Sequence, residues 1–539
     1  MSASGPLRQR VTNEGVFNRR HVAVILTAAV WLIVTFLFWV GYTGEDDLMY
    51  ARYAYLLHRP PMVWWEFRMP AILAIRASFL LFGPSEFAAA VPSLLASLAI
   101  FASVAWFVDW PRTLTWQTQA AVLVATVIPI DVGFRSYPAA NQIAAGLLAV
   151  GTVCLIKGGR AAKIAGAMLL ASAFMTHEIS VFYVGLLCVT CLAFDARTYL
   201  RPVVWCAVTA LAFVAVEALL YQHFLGDPLA RFKVSAGTTA SVPVGVDPDV
   251  GLSGMAFYLW PLRNVIFAKH FGIDWLLLLA CSALAWPRFS RHQRILLVTS
   301  IAVFFWLGYG TQVPWSYKPL YRQYHYYNPL TLGIAALLPF AIGYAFERRA
   351  RVAFALTGLV LTIHVASLAM SGRWGAPVDV ARDLLAYANR HGQQTFLTDV
   401  NTMNQMYVIG GFRLPANIIC LNGPSVEKHL LLNKEPAGTP RYRFPVRPIT
   451  GVLINREQRD LRGLEREFST YVAAHGARTT TIVDVRYRLP FAPLLRLVKP
   501  RGFMVRSAGG ELVTLRNDEE VPASAAGVTD PLSGRRRAS

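Results

Sequence analysis

The sequence predicts a polytopic α-helical membrane protein that ends in a soluble α/β domain. Three observations predict it. Hydrophobic residues make up 55% of the 539 and charged residues only 15%, against about a quarter charged in an ordinary soluble chain. Apolar stretches of about 20 residues, the length that crosses a bilayer, recur as far as residue 371. Beyond about Pro377 the composition changes to that of a soluble domain.

The apolar stretches predict spans at 22–42, 87–108, 116–134, 139–156, 164–177, 179–194, 203–224, 270–286, 295–311, 328–346 and 352–371, about eleven in all. The stretch 22–42 is long enough to remain as a first span rather than act as a cleaved signal peptide. The fifth and sixth are short, and a bent or broken pair around His177 and Glu178 fits them as well. The net charge is +20, a sign that nucleic-acid binders share, so its placement decides. Arg8, Arg10, Arg19 and Arg20 precede the first span, Lys157, Arg160 and Lys163 follow the fourth, and Arg197 and Arg201 follow the sixth. Arg288, Arg291 and Arg294 come after the eighth, and Arg348, Arg349 and Arg351 after the tenth. With these spans every cluster lies on one side, which is the positive-inside pattern and excludes a nucleic-acid reading. The N-terminal tail 1–20 is then expected in the cytoplasm, and everything after about Gly372 on the outer, periplasmic side of a bacterial inner membrane.

In the C-terminal part, helices are expected at 379–391 and 457–475. Strands are expected at 395–399, 418–421, 452–455, 480–485, 502–506 and 511–516. This alternation predicts an α/β domain over 372–517, followed by a disordered tail, 518–539. Five of the six cysteines, Cys154, Cys188, Cys191, Cys206 and Cys281, lie in apolar runs, so neither a disulfide framework nor metal-ligand spacing is visible.

Function is expected on the outer face, where the loops 43–86, 225–269 and 312–327 are long. The first holds two half-apolar stretches, Asp47 to His58 and Met69 to Phe82, spaced like interfacial helices. It opens with Glu45, Asp46 and Asp47 directly after a span, where ionisable groups are costly and tend to be functional. Helix capping explains such acids equally well; both roles can coexist.

The segment Asp46-Asp47-x-x-Tyr50-Ala51-x-x-Ala54 resembles the first-loop motif of the GT-C membrane glycosyltransferases, the superfamily of protein O-mannosyltransferases and aminoarabinose transferases, in the manner of the bacterial glycosyltransferase family 39 type. Further stretches agree in order: Leu81-Phe82-Gly83-x-Ser85-Glu86 with Val91-Pro92-Ser93-Leu94, then Phe174-Met175-Thr176-His177-Glu178, then Gly226-Asp227-Pro228-Leu229-x-Arg231, and last Tyr321 to Leu330. The resemblance covers about residues 20 to 371. It implies a GT-C-like membrane domain over 21–371 and transfer of a sugar from a polyprenyl-phosphate-linked donor to a glycan or glycolipid acceptor of the cell envelope, such as lipopolysaccharide. It also implies that Asp46 is the catalytic base, with Asp47 in the place of the family's usual Glu. The sequence departs from the family at Trp64-Trp65-Glu66-Phe67-Arg68-Met69-Pro70, where a Lys or His before two prolines is common. It departs again at Arg135-Ser136-Tyr137, where a second acid is common, and this weakens a carboxylate-built metal site.

The chemistry needs a base for the acceptor proton and cations for the departing phosphate. Asp46 and Asp47 are the catalytic candidates. Arg68, Lys318 and Arg322 are the candidate phosphate partners, Arg being favoured by its planar fork, while snorkelling to lipid headgroups explains Lys318 and Arg322 equally well. Tyr50, Trp65, His177, Glu178, His325 and Tyr327 are candidates for the substrate site. Interfacial aromatic belts account for most of the aromatic residues among them. The sequence identifies no cofactor, and a divalent metal stays open, with no ligand spacing around His177 or His325 to hold it. A transporter or lipid-linked-glycan flippase is the competing reading, but it would favour internal repeats and more in-span acids than Glu217.

Overall fold

In the computed structural model the described residues are 5–43, 46–57, 61, 64–234, 246–247, 252–266, 271–313, 316–320, 323–371, 376–398, 400–420, 449–455, 476–485 and 508–515. The chain divides into two compact units. One comprises Met1–Gly41, Tyr53–Gly83 and Phe87–Gly372; the other comprises Tyr42–Arg52, Pro84–Glu86 and Arg373–Ser539.

The first unit is helical, and every predicted span falls on helix. Seven elements of the described residues are long and apolar enough to cross a membrane: Arg19–Leu37, Glu86–Phe107, Trp116–Phe134, Ala140–Lys157, Ser180–Leu225, Tyr324–Ala345 and Ala350–Leu368. Large apolar side chains point outward along them and their neighbours, with Leu80, Leu81, Leu211 and Leu219 exposed by 75%, 76%, 69% and 71%, a surface that only lipid or a partner would cover.

Several boundaries differ from expectation, each for a local reason. The first helix runs Gly5–Leu37 and stops short of 42. Past it, side chains take over two backbone donors: Val40 N–H donates to Ser136 Oγ (3.0 Å) and Tyr42 N–H to Glu86 Oε1 (2.6 Å). Trp116–Phe134 bends at Ile128, where Pro129 cannot continue the hydrogen-bond ladder. The helix Arg160–Thr176 ends one residue early, leaving His177 in a turn. The predicted spans 179–194 and 203–224 are one element, Ser180–Leu225, broken at Asp195 (φ −164°, ψ 85°). Its last turns lie beside the end of the helix Arg160–Thr176, where Arg231 bonds both Glu217 and the Phe174 carbonyl. Gly226 ends this element in the left-handed conformation (φ 69°), which glycine adopts without strain. The predicted span 270–286 shrinks to Asp274–Ala285, 12 residues, a rise of only about 18 Å.

Helices 140–157 and 160–176 approach closely through small residues. A side chain on Gly166 would lie 2.7 Å from the Gly151 carbonyl oxygen and the Cys154 Cβ, the backbone proximity that Gly and Ala permit in membrane helices.

In the second unit, five strands order as Ile418–Cys420, Thr395–Thr398, Ile449–Asn455, Ala508–Leu515 and Gly476–Val485. The first three are parallel, and Ala508–Leu515 runs antiparallel to both its neighbours. Helix Ala376–Arg390 covers the sheet with Val380, Ala381, Leu384 and Leu385 against Phe396, Ile418 and Leu453. Helix Val400–Ile409 was not expected from the sequence. The expected helix 457–475, strand 502–506 and tail 518–539 lie outside the described residues.

Candidate active site

The acid pair belongs to the second unit. Helix Asp46–Leu56 starts at Asp46, whose side chain is exposed, whereas Asp47 is buried. Asp47 accepts from the Thr43 N–H (2.5 Å) and from the Thr43 hydroxyl (2.9 Å). It therefore fixes the turn before the helix, while Asp46 faces outward. Tyr50 is buried one turn further along the same helix.

Four other predicted residues come together in the first unit. Arg68 precedes helix Met69–Phe82 and is buried, with its Nε 3.1 Å and its Nη2 3.3 Å from the two carboxylate oxygens of Glu178. This fork-on-carboxylate geometry is the strong form of the pair. His177 Nδ1 is 3.8 Å from the same carboxylate. The His325 ring lies 6.3 Å from that of His177 and 4.5 Å from that of Tyr326. Burial disfavours charge on Glu178, but Arg68, His177 and Arg231 outweigh it and hold the carboxyl well below its usual range. Burial, reinforced by Arg68, pushes His177 well below the ordinary imidazole value, so it is neutral at pH 7. Its Nε2 is buried and has no hydrogen-bond partner among the described residues.

Beside this group stands a second buried pair that was not assigned from sequence. Arg231 Nη1 meets Glu217 at 3.1 and 3.3 Å, Nη2 donates to the Phe174 carbonyl (3.2 Å), and the Tyr221 hydroxyl donates to Glu217 (2.7 Å). Glu217 is an acid within an apolar span of the sequence, and an acid there needs a cation. The nearest downstream arginine, Arg231, was the available signal. Glu217 and Tyr221 line an apolar cavity of about 580 Å³, together with Tyr53, Met69, Leu73, Met175, Phe213 and Phe224. Trp65 packs edge-on against Tyr53 (6.0 Å) and Phe67 against Tyr221 (5.1 Å).

A buried network supports the turn that carries His325. Asp131 accepts from Arg135 (2.6 Å), Ser97 (2.7 Å) and Gln142 (2.6 Å). Gln142 in turn accepts from Asn328, three residues beyond His325 in the 3₁₀ turn Tyr324–Leu330. The polar residues of this network are almost fully excluded from solvent, so each needs the partners it has.

Not all predicted residues join the group. Tyr327 turns instead toward Trp260 (6.2 Å) and Phe304 (6.0 Å). Lys318 lies on strand Ser316–Pro319, with its side chain outside the described set, and Arg322 is outside it altogether. Among the described residues no three His, Cys, Asp or Glu side chains converge to hold a metal.

No family model matches the chain, and no curated protein matches it either. Solved structures do. ArnT from Cupriavidus metallidurans bound to undecaprenyl phosphate matches over 85% of this chain and 96% of its own, with a TM-score of 0.50 and 15% identity. The apo form of the same protein matches over 75% and 88%, with a TM-score of 0.49 and 15% identity. At this level of identity the likeness is one of fold: the chain shares the fold of ArnT.

Proposed function

We propose that this protein is a membrane glycosyltransferase that moves a sugar from a polyprenyl-phosphate donor to a glycan or glycolipid acceptor on the outer face of a bacterial inner membrane. One observation carries the reading: an apolar cavity of about 580 Å³ has the buried Glu217 and Tyr221 on its wall, with Arg231 behind them, in a fold whose ArnT representative was solved with undecaprenyl phosphate. An amphiphile with a long apolar tail and an anionic head matches such a surface.

In this reading Asp46 takes the proton from the acceptor hydroxyl as its oxygen bonds to the anomeric carbon. The bond from that carbon to the phosphate oxygen breaks, and its electron pair leaves with the phosphate. Arg68, with Lys318 and Arg322, receives that charge, and a guanidinium does so without giving up a proton. His177, Glu178 and His325 shape the surrounding surface. Asp47 holds the turn before the helix that carries the buried Tyr50, while Trp65 packs against Tyr53 and Tyr327 against Trp260 and Phe304.

The flippase reading draws on buried charge elsewhere in the first unit, at Asp131–Arg135 and at Asp274–His364 (2.8 Å), because transporters place ionisable groups within spans. Turnover separates the two. Purified protein incubated with polyprenyl-phosphate-linked sugars and an envelope-lipid extract releases polyprenyl phosphate if it is a transferase. A flippase leaves the donor intact, and an unchanged donor pool refutes the proposal.

A further inference from the structure

The C-terminal domain has no recognised motif, yet its hydrogen bonds lead to the acid pair. Helix Ala376–Arg390 presents Arg382, whose Nη2 lies 2.8 and 3.0 Å from the two carboxylate oxygens of Glu86. Asp379, one turn earlier on the same helix, also accepts from Arg382. Glu86 is the last residue of the first loop, and its Oε1 accepts the N–H of Tyr42, at the loop's beginning, at 2.6 Å. The next residue, Thr43, donates both its N–H and its hydroxyl to Asp47. A continuous series of polar contacts thus runs from Asp379 through Arg382, Glu86, Tyr42 and Thr43 to Asp47, the neighbour of Asp46. Two further contacts tie the same segments to the domain: Arg52 reaches the Asn404 amide oxygen (3.5 Å), and Gly411 (φ 67°) leaves space where a Cβ would stand 2.8 Å from the Pro84 carbonyl oxygen.

From this arrangement we infer that the C-terminal domain is a clamp on the catalytic loop, and that Arg382 is a positioning residue for Asp46. The inference rests on the transferase reading and gives the domain its part in it. Both ends of the loop converge on one carboxylate, so the position of that carboxylate sets the turn from which the acid pair projects. Arg382 holds it from the domain side. The pair is about a quarter exposed, 29% and 22%, so its direct contribution to stability is small. Its effect is geometric: a misplacement of about 1 Å at a reacting group can cost on the order of 100-fold in rate.

The test uses the full-length protein in detergent with Arg382→Ala, Glu86→Gln and the double variant. Glu86→Gln retains an acceptor for the Tyr42 N–H. Each single change is expected to lower kcat for transfer about tenfold with little change in KM. The double variant is expected to match the singles rather than multiply them, because both cut one linkage. Arg382→Lys should keep most of the rate. In parallel, hydrogen exchange of the amides of 42–52 should accelerate in the singles while exchange in the membrane helices stays as in wild type. Multiplied losses in the double variant, or a loop as protected as in wild type, would overturn the clamp. Should wild type show no transfer, the transferase reading fails, and the exchange of 42–52 alone then decides the clamp, since it needs no substrate.

Discussion

Glu178 is 31% exposed, yet its carboxyl is held well below its ordinary value of 4.5, and its neighbour His177 well below 6.5. Both shifts act in one direction on stability. In each case the unfolded chain binds a proton that the folded chain resists, so stability rises with pH across the interval between the folded and ordinary values. The His177 contribution is complete above 6.5 and the Glu178 contribution above 4.5; each declines as the pH falls from there toward the folded value. The Tm of the purified protein should therefore drop between about pH 7 and about pH 5, and His177→Gln should flatten that segment. An unchanged slope in His177→Gln would place the titrating group elsewhere. The acid pair divides its labour by environment. Asp47 is committed to Thr43 and Asp46 is exposed. Asp46→Asn should cost about 100-fold or more in transfer, the range of a lost general base, with the Tm of wild type. Asp47→Asn should lower the Tm and cost less in rate. The reverse ranking of the two would exchange their roles.

At the level of elements, helices announced themselves wherever apolar residues were continuous, because membrane insertion leaves a long compositional trace. The interfacial stretches near 47–58 and 69–82 appear as Asp46–Leu56 and Met69–Phe82 for the same reason. The break at Asp195 was legible as the gap between the expected spans 179–194 and 203–224, and there the Asp195 carboxylate accepts from the Thr198 N–H as a helix cap does. The helix Val400–Ile409 was not legible, because its sequence lacks a long apolar run. The site was legible only in part. Arg68, His177, Glu178 and His325 were chosen for their chemistry and do meet, but nothing in the spacing pairs Arg68 with a residue 110 positions away. Arg382 and Glu86, 296 positions apart, were beyond reach on the same grounds. The Gly151–Gly166 crossing offers a test at this scale. Gly166→Ile should destabilise the first unit by about 2 kcal/mol or more through overpacking, whereas Gly185→Ala, with nothing within 4 Å of the added carbon, should be silent in a thermal-shift assay. A neutral Gly166→Ile would mean that the two helices do not cross there.

For the whole molecule, the acid-bearing part of the first loop and the C-terminal domain form one compact unit. The charge bias of the loops predicts that both lie outside the membrane. Reporter fusions within 43–57 and after residue 371 should both read as periplasmic, and a cytoplasmic signal from either would remove the acid pair from the donor's side. The claim that this protein transfers a lipid-linked sugar is tested most directly by mass spectrometry of envelope glycolipids and glycoproteins. The strains to compare lack the gene or carry it as wild type or as Asp46→Asn. One class of envelope molecule should lose the mass of a single sugar in the deletion strain. It should regain that mass with the wild-type gene and stay unmodified with Asp46→Asn, although the variant is present in the membrane. An envelope identical in all three strains, or full restoration by Asp46→Asn, would contradict the account.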